Sequence, residues 1–382
     1  MNNIELKNIG VIGEGKMGTD IFYYLNDFDF HLTWVCSHLC DKNELLKKFN
    51  KKMNRLFKSN IIDKEKYNSK LKNTIISDNI NELSNCDIII EAIFENIDKK
   101  LELFTNLDKI LNDNCICATN SSSIIPSKLF INKYRNNKII GLHFFYPVKY
   151  KNIVELIITR HTHNSTINSI KNFLNKINIH SINLSEGNAF LLNKILLDFQ
   201  ALTYNIYKEE KLSVKDIDEI IKNNIFPIGV FEFFDSIGND IMLTSIKNYV
   251  KNYKNKNFYV PLIKKLEELV DQNKLGIKTN NGFYDYNEDK SNIVSEGKNM
   301  GKYKKTIINK LKYTFINSSY KAVENKICTL DEIEYTMKEY MGIDKGPIKL
   351  SEEIDKNKIF KTLIEFYKQT KNKIYYPSSL LK

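Results

Sequence analysis

The sequence predicts an α/β domain built on a mostly parallel sheet, followed by chain that is helical to its C-terminus. Three observations carry this. Short, uniformly apolar runs alternate with helical periods through the first half, as expected of strands buried on both faces by crossover helices. A glycine-spaced turn links the first run to the first helical period. Past about Leu184 the strand-like runs cease and helical periodicity continues alone.

Strands are expected over residues 8–12, 31–36, 87–91, 115–119, 138–143 and 153–158, and helices over 15–25, 41–58, 98–111 and 126–132. The later strands are free to run antiparallel. Further on, helical runs cover 190–208 and 214–222, with breaks near Pro227 and Gly229 and again at 280–282. The expected division is 1–186 (α/β), 187–288 (helical), a polar linker over 289–304, and a second helical domain over 305–382. That last domain reads as a degenerate repeat of the one before it. Gly229 and Gly346 stand in register 117 residues apart, and the same offset brings Asn193 and Lys194 to within one residue of Asn309 and Lys310. Each of these helices is followed by an acidic turn-helix, SVKDIDEII and TLDEIEYTM.

The 382 residues suit two or three domains, and 42% hydrophobic content is that of a folded chain. The net charge of +11 comes from lysines spread along the whole length, with no aromatic-interleaved basic stripe. No nucleic-acid partner is therefore expected, while an anionic nucleotide or thioester ligand suits such a surface. The six cysteines form no CxxC pair, which favours reduced, packed thiols over a disulfide scaffold or a metal site. The N-terminus enters a strand at once, and no long apolar run follows. A cytoplasmic protein without a membrane partner is expected.

The turn after the first strand reads Gly13-Glu14-Gly15-Lys16-Met17-Gly18. GxGxxG alone is a weak signal, but here it follows a strand and opens a helix. Gly13 permits a tight turn, Gly15 lets backbone approach a pyrophosphate, and Gly18 lets helix pack on strand. The helix N-terminus then offers orphan N–H groups to the phosphates. This predicts a Rossmann-type dinucleotide-binding domain. One residue departs from the pattern. The second strand ordinarily ends in the acid that binds the adenosine ribose, whereas this chain has Cys36. NAD is the expected cofactor, with NADP open because Ser37, His38 or Lys42 could meet a 2′-phosphate.

Further stretches, CDIIIEAIFENIDKK (86–100), ATNSSSI (118–124), IIGLHFFYPV (139–148) followed by VEL, and FLLNKIL (190–196), together resemble the 3-hydroxyacyl-CoA dehydrogenase family. A GxKTxxGFY ending at Gly276–Tyr284 extends the resemblance over about residues 8 to 287. It implies NAD(P)-dependent interconversion of 3-hydroxyacyl and 3-ketoacyl thioesters of coenzyme A, as in fatty acid metabolism. On it, His143 falls on the acid/base, Glu155 on the carboxylate that orients it, Ser122 on the serine at the reacting oxygen, and Asn193 on the asparagine contributed by the helical domain. Glu95, Lys100 and Asn120 fall near the cofactor, joining Gly13, Gly15, Lys16, Met17, Gly18 and Cys36. Lys52 and Ser59 fall near the coenzyme A moiety, on a helix that carries Lys47, Lys48, Lys51, Arg55 and Lys58 as well.

The chemistry is coherent in itself. Oxidising a secondary alcohol needs a base as the hydride leaves, and imidazole titrates near neutrality. A carboxylate on the far ring nitrogen fixes the tautomer and stabilises the imidazolium. Departures from the family are Asn188-Ala189-Phe190 in place of Pro-Gly-Phe, and Tyr146 where Asn is usual. Acyl carrier protein thioesters, a 3-hydroxy acid, a carnitine-like substrate, and a non-catalytic binding role stay open. So do monomer and homodimer, because a second helical copy could cover a dimer face internally.

Overall fold

The computed structural model describes residues 5–37, 41–129, 133–251, 253, 256–287 and 301–382. The chain divides into two compact units, Met1–Ala189 and Phe190–Lys382.

In the first unit, β1 (Asn8–Ile12) leads through the glycine turn into α1 (Lys16–Leu25) and then β2 (His31–Val35). After these come α2 (Lys42–Lys58), α3 (Lys64–Lys72), β3 (Thr74–Ser77), β4 (Ile88–Glu91), α4 (Ile97–Leu107) and β5 (Ile116–Thr119). β6 (Ile139–Phe144), β7 (Ile153–Ile158), α5 (Asn164–Lys176) and β8 (His180–Ser185) complete it. The sheet order is β3-β2-β1-β4-β5-β6-β7-β8. All neighbours are parallel except β6 and β7, which are antiparallel. β1 lies between β2 and β4, so the connections leave it in opposite directions. That reversal opens a ligand crevice at the carboxyl ends of β1 and β4.

The central strands form where the apolar runs are longest, because both faces are covered: Ile88, Ile89 and Ile90 are all fully buried. Trp34 of β2 stacks on Phe22 of α1 with ring centroids 4.4 Å apart. Two strands and two helices in this unit escaped the sequence expectation. β3 and β8 are the sheet edges, half-exposed and mixed in polarity, so they lack the apolar run that marked the others. α3 (KEKYNSKLK) has almost no apolar face and starts on the Asp63 cap, while α5 packs Thr166 and Ser169 beside its apolar residues. The helix expected over 126–132 is corrected to a single 3₁₀ turn, Pro126–Lys128, with Pro126 at its first position; residues 130–132 lie outside the described residues. Cys36, Cys86, Cys115, Cys117 and Cys328 are buried thiols outside any disulfide, and burial pushes the Cys86 thiol up to about 12. Cys40 lies outside the described residues.

The second unit is helical: α6 (Leu191–Glu209), α7 (Val214–Asn224), α8 (Val230–Ile237), α9 (Asn239–Val250), α10 (Val260–Asp271), α11 (Gly301–Glu324), α12 (Leu330–Met341), α13 (Pro347–Ile354) and α14 (Lys356–Thr370). The expected linker over 289–304 overlaps the first turn of α11, and 289–300 lie outside the described residues. One construction occurs twice. Ser213 and Asp216 form a capping box at α7, and 116 residues on Thr329 and Glu332 form one at α12. The Asp218 carboxylate accepts from Phe231 N and Glu232 N at the start of α8 (3.1 and 3.0 Å). Glu334 accepts in the same way from Gly346 N and Ile348 N at the start of α13 (2.8 and 2.9 Å). A Cβ on Gly229 would stand 2.2 Å from Asp218, and one on Gly346 2.5 Å from Glu334. Glycine is therefore required at both places. The two helical sets pack together: Asp198 of α6, whose carboxyl is raised by burial, accepts from Tyr259 Oη (2.6 Å) and from Ser318 Oγ of α11 (3.1 Å). No helix among the described residues is long and apolar enough to cross a membrane.

Candidate active site

The glycine turn sits at the carboxyl end of β1. Gly13 has φ +113°, and a Cβ there would stand 2.6 Å from the Ala92 carbonyl. A Cβ on Gly18 would stand 2.2 Å from the Gly13 carbonyl, so α1 packs on the strand only through glycine. At Gly15 a Cβ would meet nothing within 4 Å. Space lies open over backbone at the N-terminus of α1, which is what a dinucleotide pyrophosphate needs. The turn is pinned to β2 by Gly13 N on Val35 O (3.0 Å) and by Trp34 Nε1 on Gly13 O (2.8 Å). Met17 is half-buried against the core, and Lys16 Nζ lies 4.0 Å above the Tyr146 ring. The residues present thus fit a dinucleotide cofactor.

Cys36 is buried just past β2, its N–H on Ser77 O (3.0 Å). Of the residues considered for a 2′-phosphate, Lys42 pairs with Asp78 at 2.8 Å, and Ser37 donates to Glu14 of the glycine turn. His38 lies outside the described residues.

Glu95 and Lys100 build the loop that carries Ser122. Lys100 is buried, with Nζ 2.5 Å from Glu91 Oε1 and 3.5 Å from Glu95 Oε2. It also donates to the Ile93 carbonyl at 3.3 Å. Glu95 Oε1 accepts from Ser121 Oγ (2.6 Å), Ser122 N (3.1 Å), Ser123 N (2.8 Å) and Ser123 Oγ (2.7 Å). Burial alone would raise this carboxyl, but Lys100 and the serine donors outweigh it and hold it below the ordinary range. Glu91 also accepts from Thr119 Oγ1 at 2.6 Å, its parallel register partner on β5.

His143 and Glu155 face each other across β6 and β7. Nδ1 of the imidazole is 2.8 Å from Glu155 Oε2, with the carboxylate wholly buried. Asn120, at the end of β5, holds β6 in place by accepting from Phe144 N (2.9 Å). The arrangement is an imidazole whose tautomer is set by a buried carboxylate.

On α2, Phe49 and Met53 face the core while Lys47, Lys48, Lys51, Arg55 and Lys58 are exposed. Lys52 lies half-buried 4.0 Å above the Tyr23 ring, and burial lowers its ammonium from the usual range. Ser59 is the exposed C-cap. In the second unit, Asn193 stands in the first turn of α6, behind Phe190 in the left-handed region (φ +61°). Its Nδ2 donates to Tyr249 Oη (2.9 Å) and its Oδ1 accepts from Tyr340 Oη (2.7 Å). Glu91 lies within the 86–100 stretch but was not singled out, Tyr249 and Tyr340 lie in no motif, and the fold brings them to these partners.

Known proteins resemble this chain in sequence and in fold. Residues 8–187 match the family model for the 3-hydroxyacyl-CoA dehydrogenase NAD binding domain, and residues 190–286 match that for its C-terminal domain. A 3-hydroxybutyryl-CoA dehydrogenase of Clostridioides difficile is 30% identical, over 73% of this chain and 99% of its own length. The human mitochondrial hydroxyacyl-coenzyme A dehydrogenase is 29% identical over 74% of this chain and 92% of its own. A solved (S)-3-hydroxybutyryl-CoA dehydrogenase from Ralstonia eutropha superposes with TM-score 0.67 at 28% identity, covering 74% of this chain and all of that one. A 3-hydroxybutyryl-CoA dehydrogenase from Escherichia coli K12 shares the fold along 99% of this chain and 98% of its own, with TM-score 0.83 at 18% identity. The glycine turn, the buried His143–Glu155 pair and these matches lead to one conclusion: the chain belongs to the 3-hydroxyacyl-CoA dehydrogenase family of NAD-dependent oxidoreductases.

Proposed function

We propose that this chain interconverts 3-hydroxyacyl-CoA and 3-ketoacyl-CoA thioesters with NAD, and that His143 is its acid/base. The observation that carries the reading is the 2.8 Å contact between His143 Nδ1 and the buried Glu155 carboxylate. With Nδ1 committed to Glu155, Nε2 takes the C3 hydroxyl proton in oxidation and returns it in reduction. Glu155 then stabilises the imidazolium. The nicotinamide, when bound, supplies the acceptor or donor of the hydride at C3.

Ser122 and Asn193 bind the oxygens whose charge changes during the reaction. Gly13, Gly15, Lys16, Met17 and Gly18 hold the pyrophosphate, with Cys36, Asn120 and the Glu95–Lys100 pair shaping the cofactor cleft. Lys52 and Ser59, with the cations of α2, face the phosphate end of coenzyme A. The twin carboxylate caps at Gly229 and Gly346 support reading the last helical set as a degenerate repeat. That repeat covers on one chain a face otherwise available for dimerisation, which favours a monomer, or a homodimer through another face.

The test is the initial rate of acetoacetyl-CoA reduction with NADH, with His143→Gln as control. A His143-dependent rate is expected. Absence of any rate with acetoacetyl-CoA and with longer 3-ketoacyl-CoA thioesters would sink the assignment.

A further inference from the structure

Cys36 occupies the place where a dinucleotide-binding strand ordinarily offers an acid to the adenosine ribose. It cannot act there itself, being buried, with its N–H on Ser77 O at 3.0 Å. A carboxylate nonetheless stands at the carboxyl end of β2. It belongs to Glu14, the residue between the first two glycines of the turn. Its Oε1 accepts from Ser37 Oγ at 2.6 Å and its Oε2 accepts from Ser37 N at 3.1 Å. The two-point grip fixes the carboxylate plane against the residue just past Cys36. The backbone behind it is fixed as well, by Gly13 N on Val35 O and Trp34 Nε1 on Gly13 O.

We propose that Glu14 replaces the missing β2 acid and makes this chain selective for NAD(H) over NADP(H). This deepens the cofactor assignment and rests on it, since the adenosine ribose must lie over the end of β2. Each Glu14 oxygen accepts one bond from Ser37 and keeps acceptor capacity for a ribose hydroxyl. Both hydroxyls of the NAD ribose are donors. In NADP the 2′-hydroxyl is replaced by a phosphate, which brings no such donor and sets like charges side by side. Lys42, the nearest cation considered for that phosphate, is already paired with Asp78 at 2.8 Å.

The test measures binding as well as turnover. Trp34 is the chain's single tryptophan and lies directly behind the glycine turn, so energy transfer from it to a reduced nicotinamide reports dissociation constants. These are measured for NADH and NADPH in the wild type and in Glu14→Gln and Glu14→Asp, alongside kcat/KM for both nucleotides and thermal unfolding. The wild type should prefer NADH by roughly a hundredfold or more, the usual weight of a direct like-charge contact. Glu14→Gln should reduce that preference to about tenfold or less, weakening NADH and strengthening NADPH, with unfolding unchanged; Glu14→Asp should restore part of it. Equal binding of both nucleotides by the wild type, or an equal change in both on Glu14→Gln, overturns the role of Glu14 and leaves the dinucleotide site standing. If the wild type binds neither nucleotide, the cofactor assignment itself falls, and the proposal with it.

Discussion

His143 and Glu155 are direct cross-strand partners on β6 and β7, and their side chains close to 2.8 Å in the sheet interior. A side chain's neighbour across an antiparallel pair is set by register. The one antiparallel junction in this sheet is therefore what joins imidazole to carboxylate across eleven intervening residues. His143→Gln is expected to lower kcat for acetoacetyl-CoA reduction by about 10²- to 10⁴-fold, the usual weight of a general acid/base. Glu155→Gln should also lower kcat, with little change in KM for NADH. Steady-state rates for both variants check this, and a His143→Gln enzyme within tenfold of wild type would remove His143 from the chemistry.

Gly15 and Gly18 should respond differently to the same added methyl. Gly15→Ala meets open space, so its melting temperature should stay near wild type while NADH binding weakens about tenfold or more. Gly18→Ala sets a carbon 2.2 Å from a backbone oxygen. Alanine's helix preference is worth up to about 1 kcal/mol, less than the roughly 1–3 kcal/mol of overpacking, so the clash wins and the melting temperature should fall. Calorimetry and NADH titration of the two variants separate the effects.

The Glu95 carboxyl is held below its ordinary range in the fold, so it contributes stability that is present above the unfolded value of about 4.3. That contribution is lost as pH falls through the lower folded value. Melting temperatures taken from about pH 6 to pH 3 should therefore show a wild-type advantage over Glu95→Gln that shrinks with acidity. An advantage independent of pH would show that the serine loop does not depend on the Glu95 charge.

Asn193 has its two amide ends held by Tyr249 and Tyr340, the second from a helix 147 residues away. Tyr340→Phe removes one hydrogen bond, worth about 1 kcal/mol. It should lower kcat several-fold while leaving KM for NADH unchanged, and it should add nothing in an Asn193→Ala background. Rates for the single and double variants decide this, and additive losses would mean that Tyr340 does not act through Asn193.

Much of the first unit was legible in the chain alone, because a strand buried on both faces shows as a run of apolar residues, as at Ile88, Ile89 and Ile90 of β4. The edge strands Thr74–Ser77 and His180–Ser185 were not, since an edge admits polar side chains and loses the run. The glycine spacing of the cofactor turn and the motifs around Ser122, His143, Glu155 and Asn193 were visible too, because they are local and their residue types are chemically constrained.

What required the tertiary structure was every partnership between distant residues. Glu91 meets Thr119, 28 residues on, because β4 and β5 pair in parallel, which no local pattern announces. Glu14 lies on Ser37 only because β1 and β2 are neighbours, and Tyr340 reaches Asn193 only because the second helical set packs on the first. Residue type and spacing determine which chemistry is available and which segments fold. Which groups meet depends on sheet order and helix packing, because the distances that decide a hydrogen bond are set by contacts far apart in the chain.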